Sequence, residues 1–314
     1  MRTLKSVDNL ADEVFRIVLA AGFFDGMHLG HRDILTHAAE CARATGSETW
    51  VLTFEPHPLN IIAPQRKPGL LTSLDLRLEF IGNSGVDGCL LLPFTKQLSE
   101  LTPVQFVHEI LGGWMNSEKK CTVVSGNNWR FGKERSGKLS DIETLSGGAI
   151  KVSEVPTVVF EGSRISSSRI RAEIQSGNLE KATAMLGHPH LIRERTISGA
   201  GMGTKLGFAT ANIMPRAEVM PPPRAIYEVA VSRLCHKGDG WMKGVANYGF
   251  RPTFPDACPE SALLEVHILD FKGNLHGEVL DVVFVRKIRD EMKFESKGDL
   301  VRQMKADVES VRTR

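Results

Sequence analysis

Ten residues near the amino terminus, Gly22-Phe-Phe-Asp-Gly-Met-His-Leu-Gly-His31, set His28 and His31 three positions apart among Gly22, Gly26 and Gly30, directly after the apolar run FRIVLAA. Imidazoles offer ring N–H donors, and glycines let a main chain approach a ligand closely. A helix predicted to begin here presents free backbone N–H groups and the positive end of its dipole to an anion. Such donors stabilise charge developing on a phosphoryl oxygen. The residues read as a cradle for a nucleotide triphosphate. The alternative is a pair of surface histidines at a helix start.

A second cluster lies at Ile165-Ser-Ser-Ser-Arg-Ile-Arg171, where hydroxyls, backbone N–H groups and Arg169 or Arg171 converge on an anion as a helix opens. A plain helix cap with solvated arginines is the other reading. His57 stands between Pro56 and Pro58, as a ligand or simply a turn residue. In GNNWRFGKERSG (126–137), Trp129 and Phe131 read as core and Arg130 as a solvated charge. A third cluster, GAGMGTKLGFATANI (199–213), carries Gly199, Gly201, Gly203 and Gly207, then Thr210 and Asn212. A glycine-rich turn followed by side-chain oxygens suits phosphates and Mg²⁺, a cation that prefers oxygen. A flexible hairpin turn explains the glycines equally, and no helix follows as a Rossmann or Walker loop requires. Glu265 sits between Leu264 and Val266, and alone it reads as a solvated strand residue.

Elements must position these residues. In the first half, strand-like FRIVLAAGFF, ETWVLTFEPHP, GCLLLPF, KCTVVSG and AIKVSEVPTVVF alternate with helix-like HRDILTHAAECARATG, LDLRLEFIGNSG and TPVQFVHEILGGW. The first helix shows apolar positions Ile34, Leu35, Ala38 and Ala42 before Gly46. Alternation of this kind predicts an α/β domain with a Rossmann-like parallel sheet, whose ligands gather beyond the carboxyl ends of the strands. GFFDGMHLGH, FEPHP and VSGNNWRFG all fall at such ends. After about Gly187 the pattern changes to closely spaced strands: RERTISG, YEVAVSRL, WMKGVANYG, ALLEVHILDF and GEVLDVVFVRKI. These predict an antiparallel β-barrel or sandwich. A closing helix, SKGDLVRQMKADVESVR, spaces Leu300, Met304, Val308 and Val311 helically. The domains expected are 1–186 and 187–314.

Composition narrows the classes. The chain has 314 residues, 42% hydrophobic, with formal charge +2, which builds in no broad attraction for nucleic acid or anionic membrane. Five cysteines (Cys41, Cys89, Cys121, Cys235, Cys258) form no CxxC pair, so neither a disulfide framework nor a zinc site is expected. MRTLKSVDNLADEVF lacks the apolar stretch of a signal peptide, and no run is long enough for a membrane span. A cytoplasmic location is the expectation. Oligomeric state is not readable.

GFFDGMHLGH resembles the nucleotidyltransferase signature of a glycine, an aromatic-Asp pair and His-x-Gly-His. The chain from about Val18 to Val311 is similar to the bacterial bifunctional riboflavin kinase/FAD synthetase family. FEPHP, GNNWRFGKERSG and ISSSRIR follow that family's order in the first half. GFATAN, GVANYGFRPTF (244–254) and LLEVHILDF (263–271) follow it in the second. The resemblance implies an FMN adenylyltransferase domain and a riboflavin kinase-like barrel, with riboflavin, FMN and ATP as ligands and Mg²⁺ as cofactor. It places Gly22, Asp25, Gly30, His28, His31 and His57 around ATP, Asn128 in the nucleotide or metal site, and Ser167, Arg169 and Arg171 on phosphates. It gives Gly199, Gly201 and Gly203 to the second nucleotide, Thr210 and Asn212 to Mg²⁺, and Glu265 the role of general base.

The chain departs from the pattern at Phe23 (usually Asn), Trp129 (usually Phe), Ala209 (usually Pro), and at Met202 and Thr204 (commonly Arg). Ala225-Ile226-Tyr227 replaces a usual Gly-Val-Tyr. The alternatives implied are a paralogue with altered flavin preference or one active half, and a flavin-nucleotide-binding module without turnover.

Overall fold

The structure, a computed structural model, describes residues 1–7, 10–116, 118–198, 210–250 and 262–313. The chain divides into two compact units, Met1–Pro68 with Leu74–Ser167, and Gly69–Ser73 with Ser168–Arg314.

The first unit carries β1 (Arg2–Leu4), β2 (Arg16–Ala21), β3 (Glu48–Glu55), β4 (Gly88–Pro93), β5 (Lys120–Gly126) and β6 (Ile150–Val155). They form one sheet, all parallel, in the order β1-β4-β3-β2-β5-β6. Residues of alternate orientation are buried on both faces. Ile17, Leu19, Trp50, Leu52, Leu90 and Val123 belong to one core, and Val18, Ala20, Val51, Cys89, Leu91 and Val124 to the other. That is why these strands read as continuous apolar runs. Helix α1 (Leu29–Thr45) covers the second core with Leu35, Ala38 and Ala42, and ends at Gly46 with φ of 61°. Helix α2 (Leu74–Gly82) adds Ile81. Trp50 faces Gly88 on the next strand so closely that a Cβ there would lie 2.5 Å from the indole.

The predicted alternation is present, with differences. A three-residue edge strand such as β1 offers no period to read. AIKVSEVPTVVF, expected as one strand, splits into β6 and a ribbon of Val159–Phe160 with Ser163–Arg164. Pro156 lies at the break, where it has no N–H for the ladder. In TPVQFVHEILGGW the α-helix is confined to Pro103–Phe106, followed by a wider π-type turn and a 3₁₀ turn.

The second unit is a closed antiparallel barrel of β7 (Leu191–Ile197), β8 (Ala211–Ile213), β9 (Ala225–Arg233), β10 (Met242–Phe250), β11 (Ala262–Ile268) and β12 (Val279–Arg289), ordered β7-β8-β11-β10-β9-β12. Strand β12 returns to pair with β7 and closes it. Ile213, Tyr227, Val229, Val231, Ala246, Leu264, Val266, Val282 and Phe284 are buried. β8, only three residues long, is the strand that the glycine-rich pattern conceals. Helix α3 (Ser167–Gln175) begins at the last residue of the first unit, and α4 (Leu179–Leu186) stops at Gly187 in a left-handed cap. Helix α5 (Lys297–Arg312) closes the chain. Of its four expected apolar positions Val311 is fully buried, and so is Asp307, whose carboxylate takes the Arg289 guanidinium at 2.7 Å.

His190 is buried beside the barrel, with Nε2 3.0 Å from the Met220 carbonyl and its ring stacked on Phe284. Burial lowers its pKa to about 4. The unfolded chain takes that proton near pH 6.5, so acid favours unfolding. Stability is therefore expected to fall as pH drops from 6.5 towards 4, by about 3 kcal/mol from this group. Chemical denaturation at several pH values checks this, and His190→Gln should flatten that part of the profile.

Candidate functional site

In the parallel sheet, β3 and β4 lie to one side of β2 and β5 to the other. The chain order reverses at β2, and the crevice beyond the carboxyl ends of β2 and β5 is where such sheets take ligands. The segment leaving β2 runs through left-handed backbone at Phe24 (φ 61°), Gly26 (φ 76°) and Met27 (φ 42°). Two non-glycine residues in that region need burial to hold them, and Phe24 and Met27 are 0% and 2% exposed.

This turn delivers His28 as the N-cap of α1. Its Nδ1 accepts from the His31 backbone N–H at 3.2 Å, which leaves the ring proton on Nε2. The two imidazoles stack, centroids 3.5 Å apart and planes within 15°. Gly30 makes room, since a Cβ there would lie 3.3 Å from the His28 ring. Burial, and secondarily His28, hold the His31 pKa well below its ordinary value. His31 is therefore neutral at pH 7, and its Nδ1 is buried without a hydrogen-bond partner among the described residues.

The ends of β2 and β3 are tied by a residue the sequence reading missed. Arg77 on α2 is 1% exposed and donates to the Phe54 carbonyl (3.0 Å), the Phe23 carbonyl (3.4 Å) and Glu55 Oε2 (2.6 Å). Its guanidinium lies 4.2 Å from the centroid of the Phe23 ring, which the His57 imidazole also meets edge-on at 4.4 Å. Phe23 thus supplies an aromatic face between a cation and an imidazole. The available signal was a cation inside an apolar helical stripe, three residues after Leu74 and four before Ile81. Thr53 Oγ1 donates to the same Phe23 carbonyl at 3.0 Å, and Ser125 Oγ to the Ala21 carbonyl at 2.7 Å.

The other expected residues fall as follows. Gly22 donates to the Leu52 carbonyl, and a Cβ on it would lie 3.1 Å from the Phe24 ring. Asp25 is 2% exposed, and its carbonyl accepts from Ser167 Oγ at 3.0 Å, bringing the ISSSRIR serine to the histidine turn. His57 caps the short helix Pro58–Ile62 through Nδ1. Asn128 is exposed and donates to Asn127 Oδ1 at 2.7 Å. Trp129 stacks on Phe131 against the core, as the sequence suggested. Arg169 and Arg171 belong to the second unit, where Arg171 Nε donates to the Gly69 carbonyl at 2.6 Å.

In the barrel, Gly199, Gly201, Gly203, Met202, Thr204 and Ala209 lie outside the described residues. Asn212 on β8 pairs directly with Glu265 on β11, and Thr210 precedes β8 by one residue. Leu264 and Val266 are each 0% exposed, so Glu265 projects from the outer face together with Asn212. Asn212 Oδ1 is buried with no hydrogen-bond partner among the described residues. The Thr210 hydroxyl and the Asn212 amide oxygen are of the kind a hard divalent cation takes, with the Glu265 carboxylate on the neighbouring strand.

Removing the guanidinium as Arg77→Met takes its hydrogen bond from the Phe54 carbonyl, leaves the Phe23 carbonyl with Thr53 alone and Glu55 without its partner. The first unit is expected to lose about 3–5 kcal/mol of stability, measured by denaturant unfolding.

The model of the FAD synthetase family matches residues 12–169, and that of the riboflavin kinase family matches residues 186–314. A bifunctional riboflavin kinase/FMN adenylyltransferase of Listeria monocytogenes is 34% identical over 94% of this chain and 91% of that protein. The Escherichia coli protein of the same name is 33% identical over 98% and 96%. A crystal structure from Streptococcus pneumoniae, described as a macrolide-efflux protein, matches with a TM-score of 0.82 and 28% identity over 99% of this chain and 98% of that one. Among the described residues no helix is long and apolar enough to cross a membrane. With two family models end to end and relatives matched over almost their whole length, the chain belongs to the bifunctional riboflavin kinase/FMN adenylyltransferase family.

Proposed function

We propose that this chain converts riboflavin to FMN and FMN to FAD, the kinase step in residues 187–314 and the adenylyl transfer in residues 1–186. What carries the reading is that each unit holds its own phosphate-directed constellation: stacked His28 and His31 at the sheet's switch point, and Asn212 paired with Glu265 on the barrel.

In the kinase step the ribityl 5′-hydroxyl oxygen bonds to the γ-phosphorus of ATP as Glu265 accepts its proton and ADP departs. Thr210 and Asn212 would hold Mg²⁺, which when bound supplies charge neutralisation for the phosphates. In the second step a phosphate oxygen of FMN bonds to the α-phosphorus of another ATP, and pyrophosphate leaves. His28 donates from Nε2 to the triphosphate. His31, neutral before the nucleotide arrives, gains a reason to hold a proton once anionic oxygens lie beside it. The N-terminal amides of α1 add donors, and Ser167 is held to the Asp25 carbonyl of the same turn. A binding module without turnover is disfavoured, because His28, His31, Thr210, Asn212 and Glu265 are all present in the sequence.

Riboflavin, ATP and Mg²⁺ should yield FMN and then FAD by chromatography, and neither product appearing refutes the reading. Glu265→Gln should lower FMN formation about 10²–10⁴-fold while FAD still forms from supplied FMN. His28→Asn keeps a capping side chain and removes the imidazole. It should lower FAD formation about 10²–10³-fold and leave FMN formation and the melting temperature nearly unchanged.

A further inference from the structure

Asn247 on β10 stands directly opposite Glu265 on β11, as Asn212 does from the other side. The three side chains form one row across three strands. Ala246, Leu264 and Val266, next to them in sequence, are buried in the barrel, so the row lies on the outer face. Opposed side chains have Cβ atoms about 5 Å apart, within reach of a shared small molecule.

Asn247 Oδ1, like that of Asn212, is buried and has no hydrogen-bond partner among the described residues. Buried amide oxygens are rarely left so, because an unsatisfied acceptor is costly. Each oxygen therefore calls for a cation or a donor, and their surroundings differ. Asn212 adjoins Thr210, which gives the β8 side two oxygens for a cation. Asn247 lies two strand spacings away, about 10 Å, and its neighbour across β9 is the apolar Ile226. A cation with ligands at about 2.1 Å does not span that distance on a convex surface. Phosphoryl transfer sets the attacking oxygen in line with the phosphorus and its leaving group, with the base at the attacking side. The row thus has a direction: phosphates over β8, base on β11, acceptor alcohol over β10.

We propose that Asn247 is a substrate-binding residue of the kinase site, its Oδ1 accepting a hydrogen bond from the acceptor polyol at the hydroxyl adjacent to the one phosphorylated. The inference rests on the kinase reading above. Glu265 takes the proton of the attacking hydroxyl, the new bond forms to the γ-phosphorus, and the bond from that phosphorus to the departing ADP breaks. Asn247 exchanges no proton and fixes the direction of the chain.

The test compares riboflavin with its 4′-deoxy analogue in the full-length protein. The unaltered chain should prefer riboflavin by about tenfold to a hundredfold in kcat/KM. Asn247→Ala should abolish most of that preference by slowing riboflavin alone, and Asn247→Ser, which retains an acceptor, should restore part of it. Asn247→Ser also stands in should the alanine variant not fold. Binding of Mn²⁺ with ADP, followed by electron paramagnetic resonance without turnover, should stay unchanged in both variants. Full retention of the preference in Asn247→Ala, or weaker Mn²⁺ binding, overturns the assignment. If the unaltered chain makes no FMN from either compound, the kinase reading itself fails, which the Asn247 variants alone would not produce.

Discussion

A guanidinium shut inside the first unit holds the ends of two central strands together. Arg77 bonds the carbonyls of Phe23 and Phe54 and the carboxylate of Glu55. Those carbonyls belong to the residues just after β2 and at the end of β3, where the sheet's own ladder is running out. Thr53 shares the Phe23 carbonyl, and burial of the charge itself pulls the Arg77 pKa down. The histidine turn is built on this base. Phe24 and Met27 tolerate left-handed backbone because their side chains are locked in the core beneath α1. The turn lies beyond the carboxyl end of β2, where sheets of this kind take ligands.

The second unit reaches a similar chemical end by a different route. A buried ion pair of Arg193 with Asp281 ties β7 to β12 but does not set the polar row. The register of antiparallel strands does, since pairing fixes which residues stand side by side. Asn212 and Glu265 are 53 residues apart in sequence and adjacent in space because Ala211 pairs with Val266 and Ile213 with Leu264. A slip of one residue would turn the polar row into the barrel. The apolar interior therefore specifies the site from behind.

Much of this was legible in the sequence. The buried parallel strands announced themselves as apolar runs, and the three segments expected at strand ends lie there. His28 and His31 were readable because helix spacing sets them on adjacent turns. Glu265 was less so. Alone, a glutamate between leucine and valine marks only an outer face, and its partners come from strands far along the chain. Arg77 and Asp307 were missed because a charge in an apolar stripe is legible only once its buried partner is known. Asn247 lay inside a quoted motif, yet nothing local distinguished its oxygen from any other on a strand. Short elements such as β1 and β8 carry too few residues for periodicity to register.

The ring nitrogen that caps helix α1 belongs to one of the two stacked imidazoles. One atom of His28 thereby serves two trades, keeping a secondary-structure element begun and fixing the ring proton on the other nitrogen. Selection acting on either trade acts on both. Exchanges that suit the architecture, such as serine or aspartate, forfeit the ring donor, while a flexible lysine supplies a donor and loses the cap. Helix geometry alone admits several capping residues at this position, and the ring donor is what narrows them to histidine.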